Sequence, residues 1–88
     1  MPSAAASRLS VRVLLFASYA EILGRYVVEL SLDSPATVAD ALERLRSLPG
    51  GERLPSRPLC ALNLTQSGGD ALLSAGDELA ILPPLSGG

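Results

Sequence analysis

The spacing of the apolar residues changes twice along this chain, and that change restricts the folds open to it. Leu9, Val11, Val13 and Leu15 alternate with Ser10 and Arg12, and Val28, Leu30 and Leu32 alternate with Glu29, Ser31 and Asp33. A period of two puts every apolar side chain of an extended segment on one face, so both stretches are predicted strands. The first runs from Leu9 to Phe16, and its far end, Leu14 to Phe16, is apolar on both faces. After Pro35 the period becomes 3.6: Val38, Ala41, Leu42, Leu45 and Leu48 form one stripe, with Asp40, Glu43, Arg44 and Arg46 opposite. Thr37 with Asp40 three residues on is a capping pair for this helix. Short apolar runs then return at Leu59–Leu64 and Glu78–Leu82, each of strand length.

The punctuation agrees with this division. Tyr19 to Leu23 followed by Gly24 reads as a short helical turn closed by glycine between the first two strands. Pro49-Gly50-Gly51 ends the main helix, and the proline-rich run to Pro58 is a surface loop. Asp70 to Leu73 is expected as a brief edge strand, Gly76-Asp77 as a turn, and Pro83-Pro84 must stop the last strand because proline has no N–H for a ladder. The order strand, strand, helix, strand, short strand, strand describes an α+β domain, one mixed sheet packed on one main helix, the β-grasp arrangement. It is expected to span residues 9–82, between a disordered arm at 1–8 and a flexible tail at 83–88.

Eighty-eight residues make one domain, of a size that buries only about 60 to 65% of its unfolded surface. Charged residues are 18% against 48% hydrophobic, below the roughly 25% charge of an average globular protein, so some apolar surface is expected to await a partner. A net charge of −2 offers no basic footprint, and neither nucleic acid nor membrane is an expected partner. All cations are arginine. Without lysine the chain has no ε-amino group for a Schiff base or for isopeptide attachment of another carrier. Without histidine it lacks the usual general base and the commonest metal ligand. Cys60, alone, makes neither an internal disulfide nor a multi-cysteine zinc site, so no metal is expected and a reducing cytoplasm fits. Residues 1–7 lack the apolar run of a signal peptide, and no stretch approaches the roughly 20 apolar residues of a membrane span.

Self-contained catalysis has little to work with. A serine has no histidine or lysine to activate it. Asp77-Glu78 is an adjacent carboxylate pair, but at a tight turn it reads as structural. Cys60, inside an apolar strand, behaves as a small hydrophobe, and Gly50-Gly51 and Gly68-Gly69 lack the strand-to-helix setting of a phosphate loop. Asn63, within an apolar run, suits a turn or edge hydrogen bond, with partner contact as the other reading.

The chemistry is at the tail, Pro83-Pro84-Leu85-Ser86-Gly87-Gly88. Gly87 and Gly88 carry no Cβ, so the tail fits a narrow cleft. Six extended residues reach about 20 Å, and the prolines stiffen the exit and reduce the freedom lost on insertion. The carboxylate of Gly88, with a reference pKa of about 3.3 to 3.7, is ionised at neutral pH and is a poor electrophile. It needs another protein to activate it. A mixed anhydride with AMP supplies a leaving group, after which a sulfur nucleophile gives a thiocarboxylate and an amine gives an amide.

Leu15-Phe16-Ala17 after the first strand, Thr37-Val38-Ala39-Asp40 at the helix start, Asn63, Gly76-Asp77-Glu78 and the Pro-Pro-Leu-Ser-Gly-Gly ending together resemble the MoaD/ThiS family over Leu9 to Gly88. Within it the chain is most similar to the small sulfur-carrier subunits of molybdopterin synthase. The resemblance implies a ubiquitin-like fold and an E1-like adenylyltransferase that uses ATP on Gly88, the chain itself binding no cofactor. It implies a sulfur donor protein that completes a thiocarboxylate. It further implies a large catalytic subunit of molybdopterin synthase, into whose site the tail Pro83, Pro84, Leu85, Ser86, Gly87 and Gly88 delivers sulfur to cyclic pyranopterin monophosphate, in a heterotetramer. Phe16 and Leu82 match apolar positions that the family uses against that subunit. Gln66 departs, because the family often has an apolar side chain there. Alternatives are a carrier for thiamine or another pathway, a protein modifier joined through Gly88 to target lysines, and a non-covalent adaptor.

Overall fold

A computed structural model of the chain describes residues 8–83. Strand β1 (Arg8–Leu15) leads into helix α1 (Ala17–Leu23), β2 (Val27–Asp33) and helix α2 (Val38–Arg46), and β3 (Leu59–Leu62), β4 (Thr65–Ser67) and β5 (Glu78–Leu82) follow. The five strands form one sheet in the order β2-β1-β5-β3-β4. β1 pairs antiparallel with β2 and parallel with β5, and β3 pairs antiparallel with both β5 and β4. The sheet is therefore mixed, and its last strand in sequence is its middle strand in space.

Alternation decides which face is covered. In β1, Leu9, Val11, Val13 and Leu15 are buried, as are Val28, Leu30 and Leu32 of β2 and Leu79 and Ile81 of β5. They meet Val38, Ala41, Leu42 and Leu45 of α2, with Tyr19 and Ala20 of α1 closing one end. Each large aliphatic side chain taken from water in this way stabilises the fold by about 1.5 to 3 kcal/mol before chain entropy is subtracted.

The helix boundaries follow local chemistry. Thr37 Oγ1 accepts from the Asp40 N–H (3.2 Å) and an Asp40 carboxylate oxygen accepts from the Thr37 N–H (2.8 Å), the reciprocal capping expected at this pair. Gly24 ends α1 at φ 74° and its N–H donates to Ala20, a left-handed cap that glycine takes without strain. α2 stops at Arg46, before the Pro49-Gly50-Gly51 signal, and Leu48 packs on the core from beyond the helix. A 3-10 turn at Gly51–Arg53 then packs so closely on α2 that a Cβ at Gly51 would meet the carbonyl oxygen of Leu45 and the backbone of Arg46.

Three expectations are corrected. Asp70–Leu73 is no edge strand. Apart from a single bridge between Thr37 and Leu72, its backbone and that of the preceding Gly69 serve the helix start: Val38 N–H donates to Ala71 (2.9 Å), Ala39 N–H to Gly69 (2.9 Å) and Leu73 N–H to Ala36 (2.8 Å). The edge strand is β4, because the run expected at Leu59–Leu64 breaks after Leu62, where Asn63 and Leu64 take φ of 49° and 75° and reverse the chain. The strand expected from Leu9 starts at Arg8, which therefore belongs to the sheet and not to the arm. Residues 1–7 and the tail beyond Pro83 lie outside the described residues.

Candidate functional site

β5 carries the tail, so the surroundings of its C-terminal end are the surface any tail-binding protein meets. Strand register builds that surface. Leu14 is paired with Val27 on one side and Ala80 on the other, and Ala80 with Ala61. Paired residues share a face, so Val27, Leu14, Ala80 and Ala61 form an apolar row across the sheet, on the side away from α2. One step toward the tail, Leu82 pairs with Leu59. Continuing the Leu15–Ile81 pairing by one residue brings Phe16 beside Leu82. Phe16 stands at the N-cap of α1, just before Ala17 at φ 51° turns the chain out of the strand.

These side chains face solvent: Phe16 is 43%, Val27 44% and Leu59 38% exposed, and Leu14, Leu82 and Pro83 are half-buried. The other half of the same face is polar. Arg8 pairs with Asp33 (3.2 Å) and Arg12 with Glu29 (3.4 Å) directly across the β1–β2 ladder. Being exposed, these pairs add little stability. They mark where the apolar surface stops. Gln66, opposite Ala61 in β4, ends the apolar row with an amide.

Of the residues singled out in the sequence, Phe16 and Leu82 come together beside the tail exit, and Pro83 follows them. Pro84, Leu85, Ser86, Gly87 and Gly88 lie outside the described residues. Val27, Leu14, Leu59, Ala61 and Ala80 were not expected here. The one signal was that Leu14 to Phe16 is apolar on both faces, which an outward face covered by water does not require.

The remaining candidates are structural. Asn63 Oδ1 accepts from the Glu78 N–H (3.0 Å) and its Nδ2 donates to Asp77 (3.0 Å), while Asp77 also accepts from the Ser74 N–H (2.7 Å). Asn63 and Asp77 thus fasten the β3–β4 turn to the start of β5, at the end of the sheet away from the tail. Cys60 is buried, its Sγ 3.5 Å from the Pro58 carbonyl, and burial pushes its thiol above the usual value. A protonated, covered thiol is a poor nucleophile. Among the described residues no three histidine, cysteine or carboxylate side chains gather as a metal site, and no helix is long and apolar enough to cross a membrane.

This geometry, a central strand leading to a tail past an uncovered apolar face, can be set beside known proteins. The ThiS family model matches residues 13–88. A molybdopterin synthase sulfur carrier subunit of Arabidopsis thaliana is 36% identical over 83 residues, covering 93% of this chain and 86% of the relative. Small archaeal modifier protein 1 of Haloferax volcanii is 39% identical over 85 residues, covering 84% of this chain and 95% of the relative. The crystal structure of that modifier superposes with a TM-score of 0.78 at 33% identity, over 90% of this chain and 99% of the other. Both the sheet order and the match that reaches the last residue lead to one assignment: the chain is a ubiquitin-like β-grasp member of the ThiS/MoaD family of sulfur carriers and modifiers.

Proposed function

We propose that this chain is the sulfur-carrying small subunit of a molybdopterin synthase. An E1-like partner adenylates the Gly88 carboxylate with ATP, releasing pyrophosphate. Sulfur from a donor protein displaces AMP and leaves a thiocarboxylate. The tail Pro83 to Gly88 then enters the large catalytic subunit and passes its sulfur to cyclic pyranopterin monophosphate, while the body docks outside. In a heterotetramer each small chain serves one end of a large-subunit dimer in the cytoplasm.

The observation that carries this reading is the apolar surface of Phe16, Leu82, Leu59, Leu14 and Val27 beside the strand that delivers the tail. A surface of this kind holds a partner where the tail can reach its site, and the core of a protein interface is apolar. The 36% identity to a molybdopterin synthase subunit supports the choice of pathway. Intact-mass analysis after incubation with ATP, the E1-like partner and a sulfur source tests the loading through an oxygen-to-sulfur exchange. The loaded chain, added to the large subunit and the pyranopterin precursor, yields molybdopterin if the assignment is right; a loaded chain that yields none rejects it.

A second reading, a protein modifier, is favoured by the 39% identity to small archaeal modifier protein 1. In that case Gly88 is found joined to lysines of other proteins by mass spectrometry of cell lysate.

A further inference from the structure

We infer that the free edge of β2 is a docking site for an extended acidic peptide, which adds to the sheet as a sixth strand along residues 27–30. The inference does not rest on the carrier reading.

Among the described residues β2 pairs only with β1. The Leu15 N–H donates to the Tyr26 carbonyl (2.8 Å), which fixes the phase of the antiparallel ladder. Tyr26, Val28, Leu30 and Leu32 turn their backbone groups toward β1, and Val27, Glu29, Ser31 and Asp33 turn theirs outward. One end of this edge is already occupied: Arg8 donates to the Ser31 carbonyl (3.3 Å), the Ser31 hydroxyl (3.1 Å) and the Asp33 carboxylate (3.2 Å). An arginine held there blunts strand addition. Toward Val27 no described residue plays that part, and the outward groups of Val27 and Glu29 are open to another backbone.

The same end has a pocket for side chains. Between β2 and the helices is a cleft of about 280 Å³, floored by Leu23, Val28, Leu30 and Leu48 and rimmed by Arg25 and Arg44. Among the described residues neither guanidinium has a hydrogen-bond or ion-pair partner. Glu29 also borders the cleft, but its carboxylate is turned to the opposite face of the sheet, where Arg12 donates to it. The cleft is therefore locally cationic in a chain of net charge −2. An added strand presents every second side chain to the cleft. Apolar residues suit its floor, and carboxylates at either end suit Arg25 and Arg44.

The 88-residue chain, isotope-labelled, is titrated with the end-blocked peptide Asp-Ser-Val-Ser-Val-Ser-Asp and with its counterpart carrying lysine for aspartate. Amide peaks of Val27 and Glu29 are expected to shift and their hydrogen exchange to slow with the acidic peptide only. Arg25→Ala with Arg44→Ala is expected to weaken binding about tenfold, since each substitution removes one exposed ion pair. Glu29→Pro removes an outward N–H that no ladder bond uses, and is expected to abolish binding; if that variant does not fold, the exchange measurement on the unaltered protein decides alone. Equal response to the lysine peptide, shifts confined to β4 or to the Phe16 face, or β2 shifts that depend on protein concentration without peptide, as for a second copy pairing there, would each overturn the proposal.

Discussion

Replacing Asn63 by alanine tests how the start of β5 is held. The side chain makes two hydrogen bonds, to the Asp77 carboxylate and from the Glu78 N–H, each 3.0 Å. Its backbone stands at φ 49°, in the left-handed region. Hydrogen bonds of this type contribute about 0.5 to 1.5 kcal/mol each, and the exposure of this site favours the lower part, so the pair is worth about 1.5 kcal/mol. Placing alanine in the left-handed region, which asparagine tolerates, costs about 1 kcal/mol more. Asn63→Ala should thus lose about 2.5 kcal/mol, which in a domain of this size lowers the melting temperature by roughly 10 to 20 °C. Asn63→Gly restores the backbone freedom and not the bonds, so it should lose less, about 1.5 kcal/mol. Urea denaturation of the three proteins gives the order directly. A loss below about 0.5 kcal/mol for alanine, or equal losses for alanine and glycine, would refute the clamp.

Phe16→Glu or Leu59→Arg should leave the fold intact, since both side chains face solvent, and weaken binding to the proposed large subunit by at least about 2 kcal/mol if this is the centre of the interface, read by calorimetry. Gly51→Ala forces a Cβ into the backbone of Leu45 and Arg46 and should cost more than about 3 kcal/mol, seen in the same urea series. The buried Cys60 thiol holds its proton to higher pH than the ordinary value of 9.0, whereas the unfolded chain releases it there; the contribution of Cys60 to stability should therefore be constant below pH 9 and fall above it, with Cys60→Ala lacking that part of the fall. If the proposed carrier role holds, deleting Gly87 and Gly88, or appending an untrimmable alanine, should abolish molybdopterin formation in the reconstituted reaction.

Most of the fold was legible because alternation, capping and glycine signals are local. Thr37 with Asp40, Gly24 and the Val38 to Leu45 stripe each fix a structure within a few residues, and all three stand where they were expected. β4 was not legible. Its turn is made by Asn63-Leu64, and leucine at the second position hides a reversal that Asn-Gly would announce. Asp70–Leu73 has strand-like composition, but what its backbone bonds to depends on where the start of α2 lies, which is a tertiary fact. The site divides in the same way. Phe16 and Leu82 were expected from the resemblance, whereas Val27 and Leu59 join them only through pairing register, which relates residues far apart in sequence.

The placement of β5 between β1 and β3 has a mechanical consequence. Any protein that draws Gly88 into its own cleft pulls along the axis of a strand bonded on both flanks, one parallel and one antiparallel. The load is shared in shear by two ladders at once and cannot unzip them one bond at a time. Under the proposed carrier role the globular body would therefore serve as a handle, holding still against a pull on its terminal residues.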